Sequence, residues 1–159
     1  MQTINSLKKR LNHNKLVVQR EEGYVEEEAF NFYTPASKEA LAKLPDYTPN
    51  ELITFLTQHN GADLFVHPKN GGGSHLFSVD EILEHKDLWE CPEYFLPIGT
   101  GLDGLWIVCQ CDKAKGETSM WIGEFLNFED DFEKLSLDYS TWLDYYIIAQ
   151  GSAFWEWLR

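Results

Sequence analysis

Histidines, cysteines and one glycine-rich hexapeptide are the residues here whose types and spacing bear on chemistry. His75 and Asp80 are close enough in sequence to make an acid/base pair, the start of a small hydrolase, yet the remaining residues supply no nucleophile or oxyanion hole to complete it. His13, His59, His67 and His85 fall into no H-E-x-x-H pattern, and His67 and His75 flank Gly71-Gly72-Gly73, where an imidazole is ordinarily solvated. Cys109 and Cys111, at i and i+2, would share one face of a strand and could open a soft-metal site. Cys91 is cut off from them by Pro92 and a glycine turn, and no C-x-x-C pair exists, so the cysteines read as reduced, small, buried hydrophobes. Gly99-Thr100-Gly101-Leu102-Asp103-Gly104 matches G-x-G-x-x-G, a pattern that holds a pyrophosphate where a helix follows it. Here the strand-like run Leu105-Trp106-Ile107-Val108-Cys109 follows, so the hexapeptide reads as a tight turn between strands. The expectation is a non-enzyme with no catalytic residues, no metal and no cofactor.

Charge and aromatic content point to binding instead. The 159 residues carry 13 Lys+Arg against 26 Asp+Glu, a net of −13. Such a field repels nucleic-acid phosphates and anionic membrane surfaces, so neither is an expected partner. The first 20 residues hold five bases (Lys8, Lys9, Arg10, Lys15, Arg20) and no acid; taking 5 from 13 leaves 8 bases against 26 acids, a net of −18 for the rest. The basic segment reads as a helix with a basic polar face, an interaction arm being the alternative. Trp89, Trp106, Trp121, Trp142, Trp155 and Trp157, with Tyr145 and Tyr146, exceed the needs of a core, and such residues anchor protein interfaces. One or two of them exposed near the acidic loop would suit a surface for a basic protein, with Asp103, Glu124, Glu129, Asp130, Asp131 and Glu133 as its expected contacts.

The elements that position these residues read as α+β. Ile4, Leu7 and Leu11 set a short helix over residues 3–12, Leu16-Val17-Val18 is a strand or an extended arm, and Glu26-Glu27-Glu28 belongs to a solvated acidic stretch. Thr34-Pro35, with Ser37 close behind, opens a helix that Pro45 stops; Thr48-Pro49-Asn50-Glu51 and Ser78-Val79-Asp80-Glu81 are capping boxes; Asn60-Gly61 ends the helix between them with left-handed residues. Strands are expected at Leu64–Val66, Leu76-Phe77, Tyr94–Leu96, Leu105–Cys111 and Ser119–Phe125, and a docked C-terminal helix at Leu137–Ile147, with Phe154, Trp155 and Leu158 beyond the break at Gly151. Strict βαβ alternation is missing, which favours a twisted, mostly antiparallel sheet flanked by N-terminal, middle and C-terminal helices. The start has no apolar h-region and no run approaches the roughly 18 residues of a membrane span, so the expected location is the cytoplasm.

Several of these stretches carry a resemblance. Pro35-Ala36-Ser37, Leu44-Pro45, Phe55-Leu56 and Asn60-Gly61, then Leu76-Phe77-Ser78-Val79-Asp80-Glu81-Ile82, Leu96-Pro97-Ile98-Gly99 with Asp103-Gly104, and Trp142-Leu143 resemble the SUKH superfamily, which joins fungal Smi/Knr-type cell-wall assembly regulators with bacterial immunity proteins. The hexapeptide departs from the family's more compact glycine-aspartate-glycine turn. The resemblance spans roughly residues 30–150. It implies a SUKH-like domain at residues 30–159, with residues 1–29 part of it or packed on it. It also implies a non-enzymatic protein-binding role, first as an intracellular immunity protein that occludes a cognate toxin, often a nuclease. A regulatory scaffold of the cell-wall-regulator type is the second reading and a small hydrolase the third. Oligomeric state is left open.

Overall fold

The computed structural model describes residues 2–20, 23–89, 92–101, 104–112, 117–124 and 132–158. Helix α1 (Gln2–Arg10) leads into the hairpin β1 (Lys15–Gln19) and β2 (Val25–Phe32); the short α2 (Lys38–Leu41) and α3 (Asn50–Gln58) precede β3 (Ala62–Val66) and β4 (Ser74–Leu76). After α4 (Val79–Leu88) come β5 (Phe95–Thr100), β6 (Trp106–Asp112), β7 (Glu117–Gly123) and β8 (Phe132–Leu135), then α5 (Tyr139–Ile148) and a 3-10 turn (Phe154–Leu158). Among the described residues the eight strands form one antiparallel sheet in chain order, β1 to β8, so the α+β expectation holds. Each strand pairs with its sequence neighbour; short connections join β1 to β2, β3 to β4 and β5 to β6, whereas α2 and α3 lie between β2 and β3 and α4 between β4 and β5.

Strand alternation sets two faces. On β6 and β7, Ile107, Cys109, Met120 and Ile122 point to the main core, where they meet Leu52, Phe55 and Leu56 of α3 and Tyr139, Trp142, Leu143 and Tyr146 of α5. The opposite face carries Phe95, Val108 and Phe132 with Trp89, Trp106 and Trp121, and α4 reaches it through His85, whose ring lies 5.2 Å from Trp106. Cys109 and Cys111 are free thiols and buried, as small hydrophobes should be; burial pushes the Cys109 thiol far up. Ile4, Leu7 and Val18 belong to the same core, and the expected division between residues 29 and 30 runs through β2.

Several local expectations are corrected. Glu26-Glu27-Glu28 is not a solvated run: it is part of β2, and alternation turns Glu28 inward on the face shared with Phe30. Thr48 is no N-cap; its hydroxyl donates to the Pro45 carbonyl at 2.7 Å, and Pro49 takes the cap position without a side-chain bond. Gly61 is left-handed (φ 99°) but Asn60 is not, its side-chain oxygen accepting instead from the Val79 N–H at 2.9 Å. The helix expected up to Pro45 is the single turn of α2, after which tight turns carry Leu44 into the core. Strand β8 was not expected at all. The hexapeptide does join β5 to β6, Gly101 N–H donating to Leu105 O at 2.7 Å, with Leu102 and Asp103 outside the described residues.

Of the two expected capping boxes only the second forms: Ser78 Oγ accepts from the Glu81 N–H, and Glu81 Oε2 accepts from the Ser78 N–H at 2.8 Å. Ser78→Ala is therefore expected to cost about 1 kcal/mol, read from urea unfolding monitored by tryptophan fluorescence.

Candidate protein-binding surface

The two ends of the chain meet at Arg20. Its Nη2 donates to Glu28 Oε1 at 2.7 Å, its Nη1 donates to the Gln150 carbonyl oxygen, and its Nε lies 3.6 Å from Glu26 Oε2. Beside it the Gln19 N–H donates to Gln150 Oε1 at 3.1 Å. That bond also blunts the sheet edge, since Gln19 presents its amide outward on β1 while its neighbours Val18 and Arg20 face β2. The β1–β2 hairpin and the segment after α5 are thus one structural unit.

This unit is conformationally unusual. Gln150 and Phe65 both adopt left-handed backbone (φ 55° each), which a bulky apolar residue such as phenylalanine rarely does. Phe65 sits where the β2–β3 register shifts, and its ring packs edge-on against Phe30 and Tyr146, centroids 4.8 and 5.6 Å away. Gly151 makes room for it: an added Cβ there would lie 2.6 Å from the Phe65 ring. Backbone held this way by surrounding packing concentrates at functional sites.

Three clefts open around residues 149–157. The first, about 470 Å³, is lined by Arg20, Glu26, Glu28, His67 and the loop glycines Gly71 and Gly73. The second, about 530 Å³, lies on the other side of Arg20 between Gln19, Tyr145, Ile148, Phe154 and Trp157. Its apolar members stand in the open: Tyr145 is 46% exposed, Trp157 63% and Ile148 69%. The third, about 290 Å³, has Glu124, Glu133 and Glu156 around Ile122 and Trp155. Of the large apolar side chains exposed among the described residues, all but Leu88 and Tyr94 lie on the β1–β2 hairpin or on α5 and the turn after it. A concentration of exposed aromatic and branched residues beside charge is the usual composition of a protein-binding face.

Of the expected contacts, Glu124 and Glu133 are brought together in the third cleft, whereas Asp103, Glu129, Asp130 and Asp131 lie outside the described residues. The exposed aromatics are not beside that acidic pair but in the second cleft, reached through Trp155–Trp157. Arg20, Glu28 and Gln150 went unforeseen. The readable sign was alternation in Val25–Phe32, which sets Glu26 and Glu28 on the face of Phe30 and Phe32.

The histidine chemistry is also revised. His75 is not paired with Asp80, whose carboxylate is exposed and 3.8 Å from Lys43. Nδ1 of His75 meets Asp63 Oδ1 at 2.7 Å across β3 and β4, and Nε2 meets Glu81 Oε1 at 3.0 Å. The Tyr33 hydroxyl donates to Asp63 Oδ2 at 2.7 Å; burial and this carboxylate push its pKa up to about 12. Burial opposes charge on His75, but its hydrogen bonds to Glu81 and Asp63 outweigh it and hold the imidazole above its ordinary 6.5. With both nitrogens occupied by carboxylates, the ring has no free position for general base work; it clamps α4 to the sheet. His59 faces Lys8 at 2.8 Å, His85 stacks on Phe77, His67 Nδ1 accepts from the Lys69 and Asn70 N–H groups, and His13 is exposed. Among the described residues no three His, Cys, Asp or Glu side chains are placed to hold a metal ion, and no helix is long and apolar enough to cross a membrane.

Compared with known proteins, the chain is similar to two proteins of Bacillus subtilis (strain 168). It is 28% identical over 139 residues to the uncharacterized protein YnaB, covering 83% of this chain and 90% of that protein. It is 33% identical over 116 residues to the uncharacterized protein YobM, covering 69% of this chain and 62% of that one. No family model and no solved structure matches the chain.

The His75 clamp has a pH signature. Its stabilisation is fully present below 6.5 and is lost as pH rises through the raised folded value; that of Glu81, whose carboxyl is held below 4.5 against burial by Ser78 and His75, is present above 4.5 and lost as pH falls through the lowered one. The stability difference between the wild type and His75→Gln, measured by urea unfolding, is expected to be larger at about pH 5.5 than at about pH 8.5.

Proposed function

We propose that this chain is a non-enzymatic protein-binding domain, and that its role is that of an immunity protein occluding a cognate toxin. The single observation that carries the binding reading is the second cleft, where Tyr145, Ile148 and Trp157 are exposed together beside Arg20. Leaving such side chains in water forgoes roughly 1.5–3 kcal/mol apiece. A partner that covers them recovers that energy at association, and aromatic residues in a cleft are the usual anchors.

Charge supports the kind of partner. The net −13 gives a long-range field that draws a basic protein and speeds encounter, while Glu124, Glu133 and Glu156 line a separate cleft with Trp155. A nuclease toxin must be basic where it holds phosphates, so an acidic domain can compete for that same surface. The SUKH resemblance points the same way and supplies the intracellular setting. His75, with both nitrogens engaged, lends no support to the hydrolase reading.

The test is co-expression with any toxin-like protein encoded beside this gene, followed by binding measurements. Trp157→Ala and Ile148→Asp are expected to leave stability within about 0.5 kcal/mol while weakening toxin binding by about 30-fold or more and abolishing protection. Changing Glu124, Glu129, Asp130, Asp131 and Glu133 to their amides should slow association and flatten its dependence on salt. Several unrelated partners with no protection from any toxin would favour the regulatory scaffold instead.

A further inference from the structure

The first cleft rests on carboxylates whose charge the chain only half answers. Glu26 and Glu28 stand at i and i+2 of β2, on one face, and both line the cleft. Arg20 is the sole Lys or Arg among the lining residues, against these two acids. Each of its nitrogens already faces an acceptor: Nη2 donates to Glu28 Oε1, Nη1 donates to the Gln150 carbonyl, and Nε lies 3.6 Å from Glu26 Oε2. Glu28 is 2% exposed, and its second oxygen, Oε2, is buried with no hydrogen-bond partner among the described residues. A buried carboxylate oxygen without a donor is costly, and the cost is removed if a donor arrives from outside.

We propose that this cleft receives one guanidinium group, an arginine side chain of the basic protein partner; the partner's existence rests on the binding reading above. The local balance is one positive charge against two negative, so a single cation neutralises it. An anion is disfavoured although Gly71 and Gly73 have positive φ (69° and 84°) as in backbone anion cradles, because both carboxylates would repel it. A guanidinium suits the place better than an ammonium. It is planar, weakly hydrated and forked, so it can address two carboxylates at once, and Phe65 is among the residues that line the cleft. The volume of about 470 Å³ accommodates the group with its stem. Glu28, whose Oε2 is unpartnered, is itself a lining residue, and a Cβ added at Gly71 would meet nothing within 4 Å, which leaves open space beside the glycine loop.

The experiment uses the full chain, labelled with 15N, and Nα-acetyl-L-arginine methylamide as the probe, followed by amide chemical shifts. Saturable shifts are expected at residues 67–73 and 150–152, larger than those caused by the matching lysine compound, and with affinity reduced about tenfold in both Glu28→Gln and Glu26→Gln. The second variant is half-exposed and keeps the Arg20–Glu28 pair, so it carries the test if Glu28→Gln unfolds. Absence of saturable shifts, equal shifts in Glu26→Gln, or inorganic phosphate moving the same amides would overturn the arginine site. None of these outcomes involves the toxin, so the aromatic surface stands or falls on its own variants.

Discussion

The Arg20 guanidinium is the joint between the two ends of this chain. Its partners are Glu28 on the next strand and the Gln150 carbonyl some 130 positions away. A buried charge pair is a poor source of net stability, because desolvating both ions costs about as much as their attraction returns. Its worth here lies in geometry: only a planar, multiply donating cation can hold a strand carboxylate and a turn carbonyl at once. That contact seats the left-handed turn at Gln150-Gly151, which in turn accommodates Phe65, and the same arginine forms the wall between the charged cleft and the aromatic one.

The proposed function draws on that wall. An apolar face alone would be a liability for solubility, and an acidic face alone would attract cations without discrimination. Placed side by side, they divide the work. In the proposed role, the acidic field would govern how fast a basic protein arrives, and the aromatic cleft how long it stays. The His75 clamp belongs to the scaffold rather than to this surface, since it fastens the N-terminus of α4 to β3 and β4.

Much of the fold was legible because local rules and global packing agree. The Ser78–Glu81 box, the β5–β6 turn, the paired cysteines on one strand face and the docked residues Phe154 and Trp155 all follow from spacing alone. Thr48 misled because a hydroxyl one residue too early can turn back onto the Pro45 carbonyl and still be satisfied. The candidate surface was the least legible part. Glu28 looks solvated in a run of three glutamates, and its pairing with Arg20 across the hairpin is what permits it to be buried. Likewise Trp155 and Trp157 are indistinguishable as residue types; the turn around Gly151 buries one and exposes the other. Asp80 was a plausible partner for His75 by proximity, but strand pairing brought Asp63 and helix phase brought Glu81.

The central claim is that one arginine assembles the surface from both ends of the chain. Amide hydrogen exchange of an Arg20→Met variant tests it most directly. The account predicts that protection falls together in two places distant in sequence, the β1–β2 hairpin and residues 149–155, while the amides of α3 keep their wild-type rates. Loss of protection confined to residues next to position 20, with the C-terminal turn exchanging as before, would contradict it.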